Sequence, residues 1–368
     1  MYRTLIVIIV SLILALSLYS TMAISELAEV HNDKLYVTCK GGNYVQVINV
    51  STGAVDRMIQ VESQPYLITI STDGTRAMVV NYDNGTISVI DTVNDAVTNT
   101  FKVERGPTGV AFSNDSSRAY VSNAYGFQIS IYDVTTGDRI VTMPAVQPAG
   151  IATGGDGLMY AVDPGSNQVL IIDPAAGLIV ATIPAGGSFN GIAIVPGGPA
   201  LIASTTNGNV SFVDLASRNV TATVSTGNGP YGIAVSPDNQ TAYVTNMNGN
   251  TLAVLDLSDH AVAGTVTVGK MPAGVALSED GQRAYVANSG GDTISVIDTA
   301  TLKVNRTIAT GKTPYGVAYI PNTTLVDVQP THTPLFGSGN AMLNMGLIAL
   351  VLLLVAIAGA FSYRRVMK

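Results

Sequence analysis

Three histidines and one cysteine are the first candidates for chemistry in this 368-residue sequence. Their placement argues against it. His31, His260 and His332 stand far apart, with no ligand-spaced partner. Neither a zinc-type site nor a Ser-His-Asp nucleophile set is expected, and all three read as solvated loop residues. Cys39 has no disulfide partner and reads as a small, half-buried residue. Oxygen ligands occur at Asp83 to Gly85, Asn246 to Asn250 and Gly291-Asp292. Calcium favours such groups, but tight turns ask for the same residues. No metal and no cofactor is therefore expected. Asn288 to Asp292 is not flanked by a strand and a helix, so it is a turn and not a nucleotide site. With no Trp and no His cluster, quinoprotein and copper chemistry are not expected either. What remains is a mixed aromatic and basic set: Tyr66, Arg105, Phe189, Tyr231, Lys270, Lys312 and Tyr315. Such groups recognise by stacking and charge, and they form the candidate face for a glycan or a protein loop. Glu62, Glu104 and Gln147 stand in comparable positions.

What makes this set stand out is the repeat around it. Thr241 to Asn246 reads TAYVTN, Ala284 to Asn288 reads AYVAN, and Ala119 to Asn123 reads AYVSN. Weaker copies start at Leu35, Ala77, Met159 and Ala200. The second residues of the seven copies are 36, 78, 120, 160, 201, 243 and 285, so the steps are 42, 42, 40, 41, 42 and 42. A period of this size signals a repeat architecture. Function is then to be sought where the copies disagree, because the residues that recur answer to packing.

Within Pro272–Lys312 four runs of five to seven residues, rich in Val, Ile, Thr and Tyr, are separated by Gly, Asp, Asn and Ser clusters. This predicts four antiparallel strands, a to d, and leaves no room for a helix. Several runs are apolar at consecutive positions, such as Leu170 to Ile172. A sheet with one wet face would alternate, so these sheets are covered on both faces. Four-stranded sheets stacked against like sheets are propeller blades. The predicted fold is all-β, a seven-bladed β-propeller of four-stranded antiparallel blades. The first clear strand is a b strand at 34–39 and the last is an a strand at 314–320. The C-terminal strand a is therefore expected to join the N-terminal strands b, c and d, closing the ring and removing an exposed edge.

Tyr243 to Asn246, the lead-in Pro230 to Ser236 and Thr293 to Asp298 resemble the YVTN-repeat β-propellers, a family common among archaeal cell-surface and surface-layer proteins, with bacterial relatives. The resemblance covers about residues 34–320 and is weakest in the fourth and fifth copies. It implies a seven-bladed propeller on a cell envelope. It brings no catalytic residues to carry over.

The two ends give an address. Met1 to Arg3 is basic, Leu5 to Leu18 is apolar apart from serines, and Thr21 to Ala23 is a small-x-small site. This is the form of a secretory signal, residues 1–23, with an uncleaved signal anchor as the alternative. Residues 341–363 hold an apolar run long enough for one transmembrane helix. The basic tail 364–368 follows, so the positive-inside rule puts the tail in the cytoplasm and the propeller, 24–321, outside. A removable sorting signal is the alternative. Residues 322–340, with Pro330, Pro334, Gly337 and Gly339, read as a spacer. Asn-x-Ser/Thr sequons begin at Asn49, Asn84, Asn114, Asn209, Asn219, Asn239, Asn305 and Asn322, the acceptors of a glycoprotein. Residues 24–330 hold 25 acids against 14 bases, a poor match for a phosphate backbone, so no nucleic-acid partner is expected.

Together these observations lead to an expected single-pass, cell-surface protein: a propeller held to the membrane through its C-terminal helix, binding envelope proteins or glycans, and not an enzyme. The alternative is an extracytoplasmic propeller enzyme of lactonase or lyase type.

Overall fold

The computed structural model describes residues 28–31, 33–185, 187–321 and 323–326. Residues 31–323 form one compact unit. It consists of seven four-stranded antiparallel sheets, as the repeat predicts. In blade 1, strand a is Pro314–Ile320 and strands b, c and d are Lys34–Cys39, Tyr44–Asn49 and Val55–Gln60. Blades 2, 3 and 4 begin with strand a at Pro65–Ile70, Pro107–Phe112 and Ile151–Thr153. Blades 5, 6 and 7 begin at Phe189–Ile194, Pro230–Val235 and Pro272–Leu277.

Consecutive apolar residues have a direct explanation. Strand b of blade 6 is Thr241–Asn246, and successive side chains point to opposite faces of its sheet. Ala242 and Val244 pack with Leu201 and Phe212 of blade 5. Tyr243 packs with Ala284, Val286 and Ile297 of blade 7. Every middle strand is thus buried on both sides, and the core is a ring of inter-blade clusters. The outer d strands are mostly exposed, as in Lys303–Ala309.

The ring closes through blade 1. Lys34 pairs with Ile320, Tyr36 with Ala318 and Cys39 with Pro314. Side chains reinforce the seam: Gly316 N–H donates to Thr38 Oγ1 at 2.8 Å, and Thr38 Oγ1 reaches the Tyr66 carbonyl of blade 2 at 2.7 Å. The chain ends are therefore stapled by backbone pairing, and strand b of blade 1 is not left as an open edge.

Two recurring residues are structural. A Cβ on Gly191 or Gly232 would run into the carbonyl of Tyr231 or Ala273 in the next blade, so only glycine lets the innermost strands crowd the axis. The Asp that ends the c strand of blades 2 to 7 caps the turn after it: Asp91 Oδ1 accepts from Val93 N–H at 2.8 Å, and Asp133 Oδ1 from Thr135 N–H at 2.8 Å.

Ala28–His31 and Thr323–Val326 form a two-stranded sheet. His31 is thus in a strand and not a loop, and the start of the expected spacer is paired, because a lone strand leaves its backbone groups unsatisfied. The expected signal 1–23 and membrane segment 341–363 lie outside the described residues, as does His332. Among the described residues no helix is long and apolar enough to cross a membrane.

Candidate functional site

The d–a and b–c loops of all blades meet at one end of the central channel. Strand a delivers its second residue to this mouth in six blades, and in blade 4 the residue comes from just ahead of the strand. The seven residues are Tyr66, Thr108, Ala149, Asn190, Tyr231, Ala273 and Tyr315. The mouth is therefore asymmetric. On one side the three tyrosine hydroxyls converge: Tyr66 Oη lies 2.5 Å from Tyr231 Oη and 2.9 Å from Tyr315 Oη, and Tyr315 Oη donates to Tyr231 Oη at 2.7 Å. The remaining four positions carry the smaller Thr108, Ala149, Asn190 and Ala273. Beneath lies a cavity of about 330 Å³, lined by the strand-a backbones and by Gly109, Gly150, Gly191, Gly232, Gly274 and Gly316.

Lys40 stands over this cluster. Its Nζ is 5.1 Å from the Tyr66 ring centroid, 5.5 Å from Tyr315 and 5.9 Å from Tyr82. The b–c turn that carries it is held by Lys40 N–H to the Thr313 carbonyl at 3.0 Å and Gly41 N–H to the Lys312 carbonyl at 3.1 Å. No carboxylate forms a salt bridge with Lys40 among the described residues. Its charge faces aromatic rings, which attract a cation through their quadrupole.

Burial, and then the neighbouring hydroxyls, push Tyr315 and Tyr231 well above the ordinary tyrosine value. Both stay protonated, so the cluster is a set of neutral donors and not a base. The channel lining holds no histidine and no carboxylate among the described residues. No group of three His, Cys, Asp or Glu is placed to hold a metal ion among them either.

The candidate residues thus divide. Tyr66, Tyr231 and Tyr315 come together. Arg105 is exposed and lines a separate groove beside Tyr82 and Tyr125. Lys270 and Lys312 are exposed, and their backbone carbonyls tie down b–c turns. Phe189 is fully buried among Tyr160, Val162 and Ile202. It occupies the slot that proline fills in neighbouring blades, so its aromatic character serves the core and not the mouth. Cys39 is wholly buried, not half-buried, and burial pushes its thiol up to about 12. His260 is exposed in its turn, 4.5 Å from the Phe212 ring centroid.

Lys40, Tyr82 and Tyr125 were not among the candidates. A signal for the first two was present. The residue after each b strand is Lys40, Tyr82, Ala124, Pro164, Thr205, Met247 or Ser289, a position as unequal between copies as the second residue of strand a. Tyr125 sits in a 3-10 turn, Ala124–Gly126, that breaks the repeat.

Comparison with known proteins adds a chemical class. A family model described as a lactonase, 7-bladed beta-propeller, matches residues 201–326, which include Tyr231 and Tyr315. No curated relative matches the chain. Among solved structures, a functionally unknown protein from Desulfotomaculum acetoxidans has a TM-score of 0.70 at 19% identity, covering 78% of this chain and 98% of that one. A putative 6-phosphogluconolactonase from Bacteroides fragilis has a TM-score of 0.65 at 17% identity, covering 81% and 99%. Hydrazine synthase from Kuenenia stuttgartiensis has a TM-score of 0.62 at 19% identity, covering 70% and 90%. At these identities the likeness establishes the fold alone. The lactonase match over residues 201–326 overturns the expectation of a chain without catalysis and favours the alternative, a propeller enzyme. The chain is a seven-bladed propeller whose residues 201–326 are similar to the lactonase propellers.

Proposed function

We propose that the protein is a propeller enzyme that opens a cyclic ester at the tyrosine-lined mouth of its channel. The observation that carries this reading is the lactonase family match over residues 201–326. The geometry supplies a place for the reaction. Hydrolysis of a lactone adds water to the carbonyl carbon, breaks the ring C–O bond and leaves a hydroxy acid. Negative charge develops on the carbonyl oxygen, and donors fixed in advance around it lower the barrier. The Lys40 ammonium, held on a tethered turn, is such a group, and a Tyr231 or Tyr315 hydroxyl joins it by exchanging a bond within the cluster for one to the substrate. Lys40 would also meet the carboxylate product.

The address remains the one proposed from the sequence, which resembles the YVTN-repeat surface proteins. The propeller faces outward, residues 341–363 hold it in the membrane, and the basic tail stays inside. Protease treatment of intact cells should remove the propeller and leave the tail.

The test is a panel of small lactones given to the purified protein, with acid release followed by titration and an ultraviolet scan for the double bond a lyase would make. Hydroxy acid formation that Lys40→Met lowers about 100-fold supports the reading. No release above the uncatalysed rate, or turnover indifferent to Lys40→Met, overturns it.

A further inference from the structure

A second groove, of about 380 Å³, runs outward from the mouth between blades 2 and 3. Its walls are aromatic. Tyr82 stands 5.8 Å from Tyr66 and 6.3 Å from Tyr125, centroid to centroid, so rings continue from the channel axis to the rim. Exposure rises along the series, from 9% at Tyr315 to 56% at Tyr125. The outer ring is thus offered to a ligand and not consumed by the core. The 3-10 turn Ala124–Gly126 that presents Tyr125 occurs in no other blade among the described residues.

The groove is also charged and hydrogen-bonding. Lys102 and Arg105 line it, with Asp83 and Asn84. The neighbouring Glu104 is taken by Arg139, at 2.6 Å, and so does not neutralise Arg105. Glu62 accepts from Asn84 Nδ2 at 2.6 Å. The lining itself holds two cations and one carboxylate, with the Glu62 carboxylate at its edge beside Asn84.

We infer that this groove binds an anionic oligosaccharide, with pyranose faces against Tyr82 and Tyr125 and a ring carboxylate on Arg105 and Lys102. Flat rings with polar edges suit sugars, which offer apolar C–H faces and hydroxyl rims. A guanidinium takes a carboxylate in a two-pronged contact. Asp83 offers acceptors to sugar hydroxyls, which an acidic peptide such as triglutamate lacks along its side chains. The inner end of the groove meets Lys40 through Tyr82, so a chain bound here would run toward the channel mouth. The inference goes beyond ring opening and does not depend on it.

The experiment is calorimetric titration of the whole protein with trigalacturonate, maltotriose and triglutamate, at low and high salt. Trigalacturonate should bind, and more weakly at high salt. Maltotriose and triglutamate should bind at least about 10-fold more weakly, the scale of one charge-assisted contact. Tyr125→Ala and Arg105→Ala should each weaken trigalacturonate by a similar factor. Both side chains are exposed, and matching thermal transitions confirm folding. Leu178→Ala, on the outer strand of blade 4, should bind as the native protein does. Saturable binding with this pattern supports the groove whether or not any lactone is turned over. Equal binding of maltotriose or triglutamate, indifference to both variants, or no saturable binding of trigalacturonate overturns it.

Discussion

Lys40 Nζ lies 5.1 Å from the centroid of the Tyr66 ring, across the seam where strand b of blade 1 meets strand a of blade 2. The cation and the ring come from the two sides of the first d–a crossing, and each is positioned by backbone. Lys40 is tied to Thr313, and the Tyr66 carbonyl to Thr38. The charge at the mouth is therefore held in place before any ligand arrives.

Replacing Lys40 with Met should lower kcat/KM for the best lactone about 100-fold, the scale of losing one fixed stabiliser of developing charge. Lys40→Arg should recover part of the loss. Steady-state kinetics check this, and a loss confined to KM would mean that Lys40 binds substrate and product without acting on the barrier.

Closure of the ring can be read through Cys39. Its thiol is buried beside strand a of blade 1 and held at about 12 by that burial. In the intact protein it should resist alkylation at pH 8, since the thiolate is the reactive form. Deleting Pro314–Ile320 removes the strand that covers it. Alkylation should become fast, and cooperative unfolding should be lost. A truncated protein that melts like the native one and keeps its thiol protected would mean the seam does not hold the ring.

Gly191→Ala should destabilise the propeller by about 3 kcal/mol, the upper part of the range for overpacking. The new methyl meets the Tyr231 carbonyl, a backbone group that cannot swing away. Gly74→Ala provides a contrast. That glycine has open space around it but a positive φ of 71°, so its cost is conformational alone, about 1 kcal/mol. Denaturant melts of both variants check the order.

Acid should weaken the fold through its turns. Asp73 and Asp115 sit at about 2, below the ordinary 3.8, because the hydroxyls of Ser71 and Ser113 and the backbone N–H groups of Thr75 and Ser117 favour the carboxylate. A folded-state value below the unfolded one contributes stability that is present above about pH 4 and lost as pH falls toward 2. Both carboxylates are largely solvated, so the effect is small. The double variant Ser71→Ala, Ser113→Ala should show a shallower fall in melting temperature across that window than the native protein.

The residues themselves determined the blade. The 42-residue spacing, the terminal Asp, the inner glycines and the unbroken apolar runs each answer to contacts that recur around the ring. A single copy such as Thr241–Asn246 therefore states the rule for all seven. Even ring closure was legible, since the first strand is a b strand and the last an a strand. The candidate face was legible only where unequal residues fell in one recurring slot, as Tyr66, Tyr231 and Tyr315 do. Tertiary structure decided the rest. Lys40 reaches Tyr315 across 275 residues of chain, and Phe189 turns inward because its slot faces the core. Tyr125 gains its role from a turn that departs from the repeat. Periodicity records what neighbouring blades share. A site at the axis depends on how unlike side chains from distant blades converge, and only the closed ring brings them within reach of one another.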